Sequence, residues 1–394
     1  GVRAANGVIV VTTKRGKGDK PTVRINQSFA LQQAVVKADM VDSWDYAKIM
    51  NLDYTERGQE PWYTDQQISI MKNGSQPDLY ANTDWFDEMN RTAQMKNTYV
   101  SVSGAKEDLR YLFSVDYLDQ DGIMINTNQK RYNFRSNIDV DVSDKIMIGL
   151  ILSGNKRNIT EPVSAAAPTD GSFGGLTYGL RRFAVPTVPV KYSNGDWGFV
   201  DGNYYIAGAQ SALTKNPVQK AYSGENITER YTLLGKVFGD IEILENLHFK
   251  PSFSYQHLSF LTSRFSPTWT GYDVNGEMVL QATHNSLSNS HQRTYNYQVD
   301  NLLTYSFDVN DNHKFDVLVG QSALYYRVDN FNASVRDFPN NSIHELNAGL
   351  NDKNLGGSAK DKAVNSYFGR LNYNFADKYL LEFNYRYDGT SLMS

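Results

Sequence analysis

Cysteine is absent from the 394 residues, which removes structural disulfides, cysteine-ligated zinc and thiol nucleophiles together. The absence fits exposure to an oxidising compartment, although many cytosolic chains also lack cysteine. Long apolar runs are missing too. The longest, Val8–Val11 and Ile146–Leu152, fall far short of the roughly 18 to 20 residues that a membrane-spanning helix needs, so a helical membrane protein is excluded. Lysine and arginine form no basic stripe, and the formal net charge is -4, so nucleic acid is not an expected partner. No initiator Met opens the chain and no charged start precedes an apolar segment. Any secretory signal is therefore expected upstream of Gly1.

Motifs that carry chemistry are also wanting. Gly16-Lys17-Gly18 lacks the Gly-Lys-Ser/Thr of a phosphate loop, and no helical pattern follows it. His344-Glu345 opens like a zinc-protease motif, but Ala348 stands where the second His is required. Asp308, Asn310 and Asn312 have the spacing of a calcium loop, yet His313 replaces its Gly and Val319 its terminal Glu. With six scattered His and no Cys, no metal or cofactor site is expected. The carboxylates Asp139, Asp141, Asp300 and Glu382 belong to the polar face of strands, which a water-facing wall explains without paired acids in a cleft. The chain is not expected to be an enzyme.

Aromatic residues are plentiful, with 26 Tyr and 19 Phe beside only 11 Pro, a load that suits pleated strands and membrane interfaces. The dominant period is two. In Arg131–Val142 the apolar Tyr132, Phe134, Ile138, Val140 and Val142 alternate with Arg131, Asn133, Arg135, Asn137, Asp139 and Asp141. Thr294–Val309, Lys378–Asp388, Leu109–Tyr117 and Thr22–Leu31 repeat the pattern.

About eleven such segments occur, most longer than the roughly 9 to 11 residues that cross a bilayer as a tilted strand. Their connections alternate between short and long. Gly104–Glu107, Ser143-Asp144, Leu244-Glu245, Asn310-Asp311 and Ala376-Asp377 are tight, whereas Lys37–Ala93, Gln120–Gln129, Asn158–Ile227, Arg264–Asn289 and Asn332–Asp361 are long. Turns at one end and loops at the other are the pattern of an outer-membrane barrel. Tyr132, Phe134, Tyr295, Tyr297, Tyr325 and Tyr385 fall towards the loop ends. Tyr111, Phe113, Phe307, Phe315, Tyr373, Phe375 and Tyr379 fall towards the turn ends, so two aromatic girdles are expected. Two helices are expected in the first long loop, over Trp44–Tyr54 behind a cap at Asp42, and over Thr64–Met71 before Asn73-Gly74.

Several short sequences then appear in a telling order. Arg3-Ala-Ala-Asn-Gly7 precedes Val8–Thr13; Asn82-Thr-Asp-Trp85, Val100-Ser-Val-Ser-Gly104, Tyr117-Leu-Asp-Gln-Asp-Gly122 and Arg131-Tyr-Asn-Phe-Arg135 follow; Asp377–Leu381 and Tyr387-Asp-Gly389 lie near the end. Taken together, they resemble the SusC/RagA family of TonB-linked outer-membrane proteins. The resemblance implies an all-β, antiparallel transmembrane β-barrel of about 22 strands with a plugged lumen, of which this chain would supply about half, with short helices in the first extracellular loop. It implies residues 1–18 as the C-terminal end of the plug and 19–394 as the N-terminal half of the barrel, the rest of the plug lying upstream. It further implies residence in the outer membrane among lipid, and import of oligosaccharides or peptides. The implied partners are a SusD-like surface lipoprotein and the TonB–ExbB–ExbD complex, the latter reached through the missing upstream segment.

For ligand contact, the aromatic loop residues Trp197 and Phe199 in Asn194–Phe199, and Trp269 in Pro267–Gly271, are the candidates. Flat rings beside polar neighbours suit stacking on sugars or peptide side chains, and packing of loop on loop is the plainer use of the same rings. A secreted β-sandwich that binds glycans through Trp197 and Trp269 is the alternative. Its apolar strand faces would have to pack on a second sheet.

Overall fold

The computed structural model describes residues 14–37, 39–163, 185–199 and 216–391. The sequences Arg3–Gly7 and Val8–Thr13, on which the plug boundary rests, lie outside them. Eleven strands form one antiparallel sheet in which each neighbour follows along the chain: β1 (Thr22–Gln32), β2 (Ala93–Lys106), β3 (Leu109–Asp121), β4 (Asn128–Ser143), β5 (Ile146–Glu161), β6 (Glu225–Leu244), β7 (Leu247–Ser266), β10 (Ser286–Asn310), β11 (His313–Arg336), β12 (Asn351–Phe375) and β13 (Tyr379–Thr390). A separate hairpin, β8 (Trp269–Tyr272) with β9 (Met278–Ala282), sits in the loop between β7 and β10. Among the described residues this hairpin is the only other sheet, so no second sheet packs on the first as a sandwich requires.

Register follows the alternation read from the sequence. Val100, Val115, Phe134, Gly154 and Leu233 are direct partners across five strands, and together they make one apolar row. Val115 and Phe134 are 57% and 43% exposed in this chain, large apolar groups with no protein over them. Gly154 is required in that row, because a Cβ there would stand 2.0 Å from the Phe134 ring. Ser101, Ser114, Arg135 and Ser153 are partners on the opposite face. One side of the sheet thus carries the apolar rows and the other most of the polar and charged side chains, the arrangement of a wall between lipid and a watery lumen.

The turn ends are tight. Ala376 and Asp377 both take positive φ, 54° and 53°, in a connection of three residues between Phe375 and Tyr379 in which Lys378 N–H donates to the Phe375 carbonyl at 3.0 Å. Asp377 also accepts from Asn374 Nδ2 at 2.7 Å and pairs with Lys314 at 3.1 Å. The aromatic girdles are there. Phe307, Phe315 and Tyr373 stack at 5.2 and 4.8 Å near the turns. Tyr117 meets Tyr132 at 4.9 Å, and Tyr255 meets Tyr297 at 5.1 Å, towards the loops.

Two boundaries depart from the sequence reading. β12 begins at Asn351 instead of near residue 362, pairing with β11 as far as Arg336, so the loop between them is only 337–350. The added stretch, Asn351–Asp361, is polar on both faces and contains Gly356-Gly357. It lies beyond the apolar band, where water wets both sides and no period of two is imposed. The second long loop likewise shrinks to 122–127, tied by Asn128 Nδ2, which donates to Asp119 and Asp121 at 3.1 Å each.

Since faces alternate residue by residue, neighbouring substitutions separate the two solvents. Leu303→Arg, on the apolar face, should cost about 2 to 4 kcal/mol in a bilayer, whereas Thr304→Arg, on the polar face, should stay within about 1 kcal/mol. Denaturant titration of the full-length protein in lipid vesicles checks the difference, and equal costs would contradict the assignment of faces.

Candidate functional site

The lumenal wall is built from short-range pairing at its turn end. The segment leading into β1 crosses the polar face. Arg15 pairs with Asp139 at 2.6 Å and its guanidinium lies 5.1 Å from the Phe238 ring centre, while Asn137 Nδ2 donates to the Lys14 carbonyl at 2.7 Å. Asn137 and Asp139, at 1% and 6% exposure, are buried by this crossing. Gly16 lies so close to β2 and β3 that a Cβ would come within 2.3 Å of the Gly104 carbonyl oxygen. Nearby, Arg110 holds Asp141 through two bonds of 2.6 and 2.7 Å. Lys250 and His248 both hold Asp240 at 2.8 Å. Asp139, Asp141 and Asp240 are thus each paired with a cation within this half of the wall.

Above the wall, the loops fold into a cap with its own cores. Its first loop carries α1 (Ser43–Glu56), α2 (Asp65–Asn73) and α3 (Trp85–Met89). α2 has a capping box between Thr64 and Gln67 and ends on Gly74 at φ 66°, as the sequence signals indicated. α1 is closed differently. The Asp42 side chain makes no cap bond to the helix; instead Asn82 Oδ1 accepts from Ser43 N–H at 2.8 Å, and Asn82 Nδ2 donates to Asp42 at 2.9 Å.

Asn82-Thr-Asp-Trp85 is thus a clamp, each residue with a separate task. Thr83 Oγ1 donates to the Val188 carbonyl at 2.6 Å. Asp84 caps α3, accepting from the N–H groups of Phe86 and Asp87 at 3.0 and 3.1 Å. Trp85 donates from Nε1 to the Val185 carbonyl at 2.8 Å and is 2% exposed. Its indole anchors a core with Met89, Met124, Ile125, Val188 and Val218, in which α4 (Pro217–Tyr222) also packs. Sequence reading took this motif as part of the resemblance and missed its role. The signal was available, since Asp directly before an aromatic helix start is a cap signature.

The three ligand candidates divide. Phe199 and Trp269 come together from different loops, their rings parallel to within 6° at 5.7 Å. Phe199 is buried, and Tyr192 frames it by donating to its carbonyl at 2.9 Å and accepting from its N–H at 3.1 Å. Burial pushes the Tyr192 phenol above its ordinary pKa. Trp197 stands apart, packed partly buried on the Trp85 core with the Lys191 ammonium 4.5 Å over its ring.

The last two loops are joined by Asp337. It accepts from Asn351 Nδ2 at 2.8 Å and from His284 Nδ1 at 2.5 Å, and these bonds hold its carboxyl below the usual range. Beside it Asn285 Oδ1 accepts from Phe338 N–H at 2.7 Å. Among the described residues no group of three His, Asp or Glu is placed to hold a metal.

This architecture has close counterparts. Over 403 residues the chain is 30% identical to TonB-dependent receptor P3 of Formosa agariphila, covering all of this chain and 36% of that receptor. Over 421 residues it is 25% identical to TonB-dependent receptor SusC of Bacteroides thetaiotaomicron, again covering all of this chain and 37% of the relative. The chain is homologous to proteins named TonB-dependent receptors, SusC among them. It spans little more than a third of the length of these relatives. No family model matches it. In fold, the chain superimposes on the RagAB peptide importer in its closed-closed state with a TM-score of 0.78 at 22% identity, over 99% of this chain and 44% of that one.

If Asn82–Trp85 holds the cap together, Trp85→Ala should destabilise the loop core by about 3 to 5 kcal/mol without disturbing strand pairing. Limited proteolysis of the full-length protein would show new cleavage within residues 39–92 and an intact barrel. Unchanged loop protection would refute the clamp.

Proposed function

We propose that this chain supplies the end of the plug, residues 1–18, and the N-terminal half of the barrel, residues 19–394, of a TonB-dependent outer-membrane importer. Its cargo would be oligosaccharides or peptides. The observation that carries the reading is a wall whose two faces call for different solvents, joined to similarity along the whole of this chain with little more than a third of proteins named TonB-dependent receptors. A nutrient would pass along the polar face after the plug moves. No covalent chemistry is involved, and the relatives are receptors and transporters.

The open sheet supports a partial barrel. β1 pairs only with β2 and β13 only with β12 among the described residues, and two unpaired edges call for further strands. Energy would come from the TonB–ExbB–ExbD complex through the upstream plug. The folded loop cap offers a surface over which a SusD-like lipoprotein could close. Of the three aromatic candidates, Trp269 would be the one to meet a ligand, a reading supported by its half-buried ring with Phe199 behind it. Phe199 and Trp197 serve loop packing first.

Extraction and electrophoresis of the full-length protein test this reading. It should require detergent for extraction and migrate faster unheated than boiled, because a closed barrel resists unfolding by the gel detergent. Release without detergent as a soluble monomer would overturn the proposal.

A further inference from the structure

Cations on the lumenal face are treated differently in its two halves. Towards the turns, Arg15, Arg110 and Lys250 each have a carboxylate partner. Towards the loop ends of β4 to β6 they crowd together, and among the described residues the one carboxylate paired with this row is Asp116, at Arg131. Arg131 of β4 is the direct partner of Arg157 of β5, and Arg157 that of Arg230 of β6. Three guanidinium groups thus project from adjacent strands in one row on the polar face. Like charges directly opposite one another destabilise a sheet. Arg135 adds a fourth cation further along β4 on the same face.

Nearby anions offset only part of this charge. Asp116 holds Arg131 at 3.2 Å and is shared with Asn133, which donates to it at 2.7 Å. Glu161, the next carboxylate on this face of β5, lies roughly 13 Å beyond Arg157 at strand spacing. Arg230 rests its guanidinium 5.4 Å from the Phe260 ring centre. The Nε atoms of Arg131, Arg135 and Arg157 are each buried and lack a hydrogen-bond partner among the described residues. A buried guanidinium donor left unmade is costly, and the planar fork of arginine matches two-oxygen anions.

The geometry points to an anion-binding site on this upper lumenal wall. Arg157 and Arg230 are at its centre, with Arg131 and Arg135 beside them, and its ligands are the carboxylate or sulfate groups of an imported nutrient. The inference rests on the import reading and narrows it to acidic oligosaccharides or acidic peptides. Clustered cations in a walled channel would also draw such ligands inward from the loop end.

The test uses the full-length protein in detergent, with inorganic sulfate as probe against chloride at equal ionic strength. Sulfate should raise the thermal unfolding midpoint of the unaltered protein by on the order of 3 °C more than that of the double variant Arg157→Gln/Arg230→Gln. An equal increment in both proteins, including none in either, overturns the proposal. If the variant is then also less stable in chloride alone, a plug carboxylate is the anion that the arginines hold. Heat-modifiable migration of the same preparations reports on the barrel separately, so an intact barrel without the sulfate difference sinks the anion site and leaves the import reading standing.

Discussion

Every part of this structure depends on one constraint: a strand that separates lipid from water must hydrogen-bond its whole backbone sideways while its side chains alternate between two solvents. Eleven strands meet the first demand by pairing each with its neighbour along the chain. They meet the second through register. A slip of one residue anywhere would carry Phe134 into the lumen and Arg135 into lipid. The apolar row through Val115, Phe134 and Leu233, with the Phe134 ring seated on Gly154, keeps that register by shape as well as by polarity.

A wall of this kind has little interior of its own, so the buried cores lie elsewhere. They gather at the loop end: Trp85 and Met71 each anchor a cluster in the loops, and Phe265, Leu287 and Val335 at the ends of three strands form another with Phe338. Asn82–Trp85 binds three chain segments through side-chain bonds, and Asp337 with Asn285 ties the last two loops together. The described part of the loop end is a folded cap with its own buried cores. Below it, the polar wall changes from a row of adjacent arginines near the mouth, of which only Arg131 has a carboxylate, to closed ion pairs near the turns.

Strand count, strand order, the two girdles and the helices α1 and α2 were legible because period two, turn chemistry and cap signals are local. The extension of β12 to Asn351 was not, since strands beyond the membrane have water on both sides and lose their alternation. Nor was the real cap of α1, because Asn82 lies 39 residues from Ser43 and reaches it only through the loop fold. The pairing of Phe199 with Trp269 joins different loops and carries no sequence signal. Asn82-Thr-Asp-Trp85 was noticed for its resemblance, while its mechanical task emerged from its hydrogen bonds. The row Arg131, Arg157 and Arg230 was hidden for the same reason: each sits in its own strand, and only register makes them neighbours.

The central claim is that the apolar face meets lipid. Spin labels placed singly at positions 115, 134 and 299, and at 114, 135 and 298, in the full-length protein reconstituted in bilayers, test it most directly. Labels in the first set should relax with dissolved oxygen far more than with a water-soluble nickel chelate, and those in the second set should not. Equal access of the chelate to both sets, or shielding of the first set from both reagents as by a second protein layer, would contradict the account.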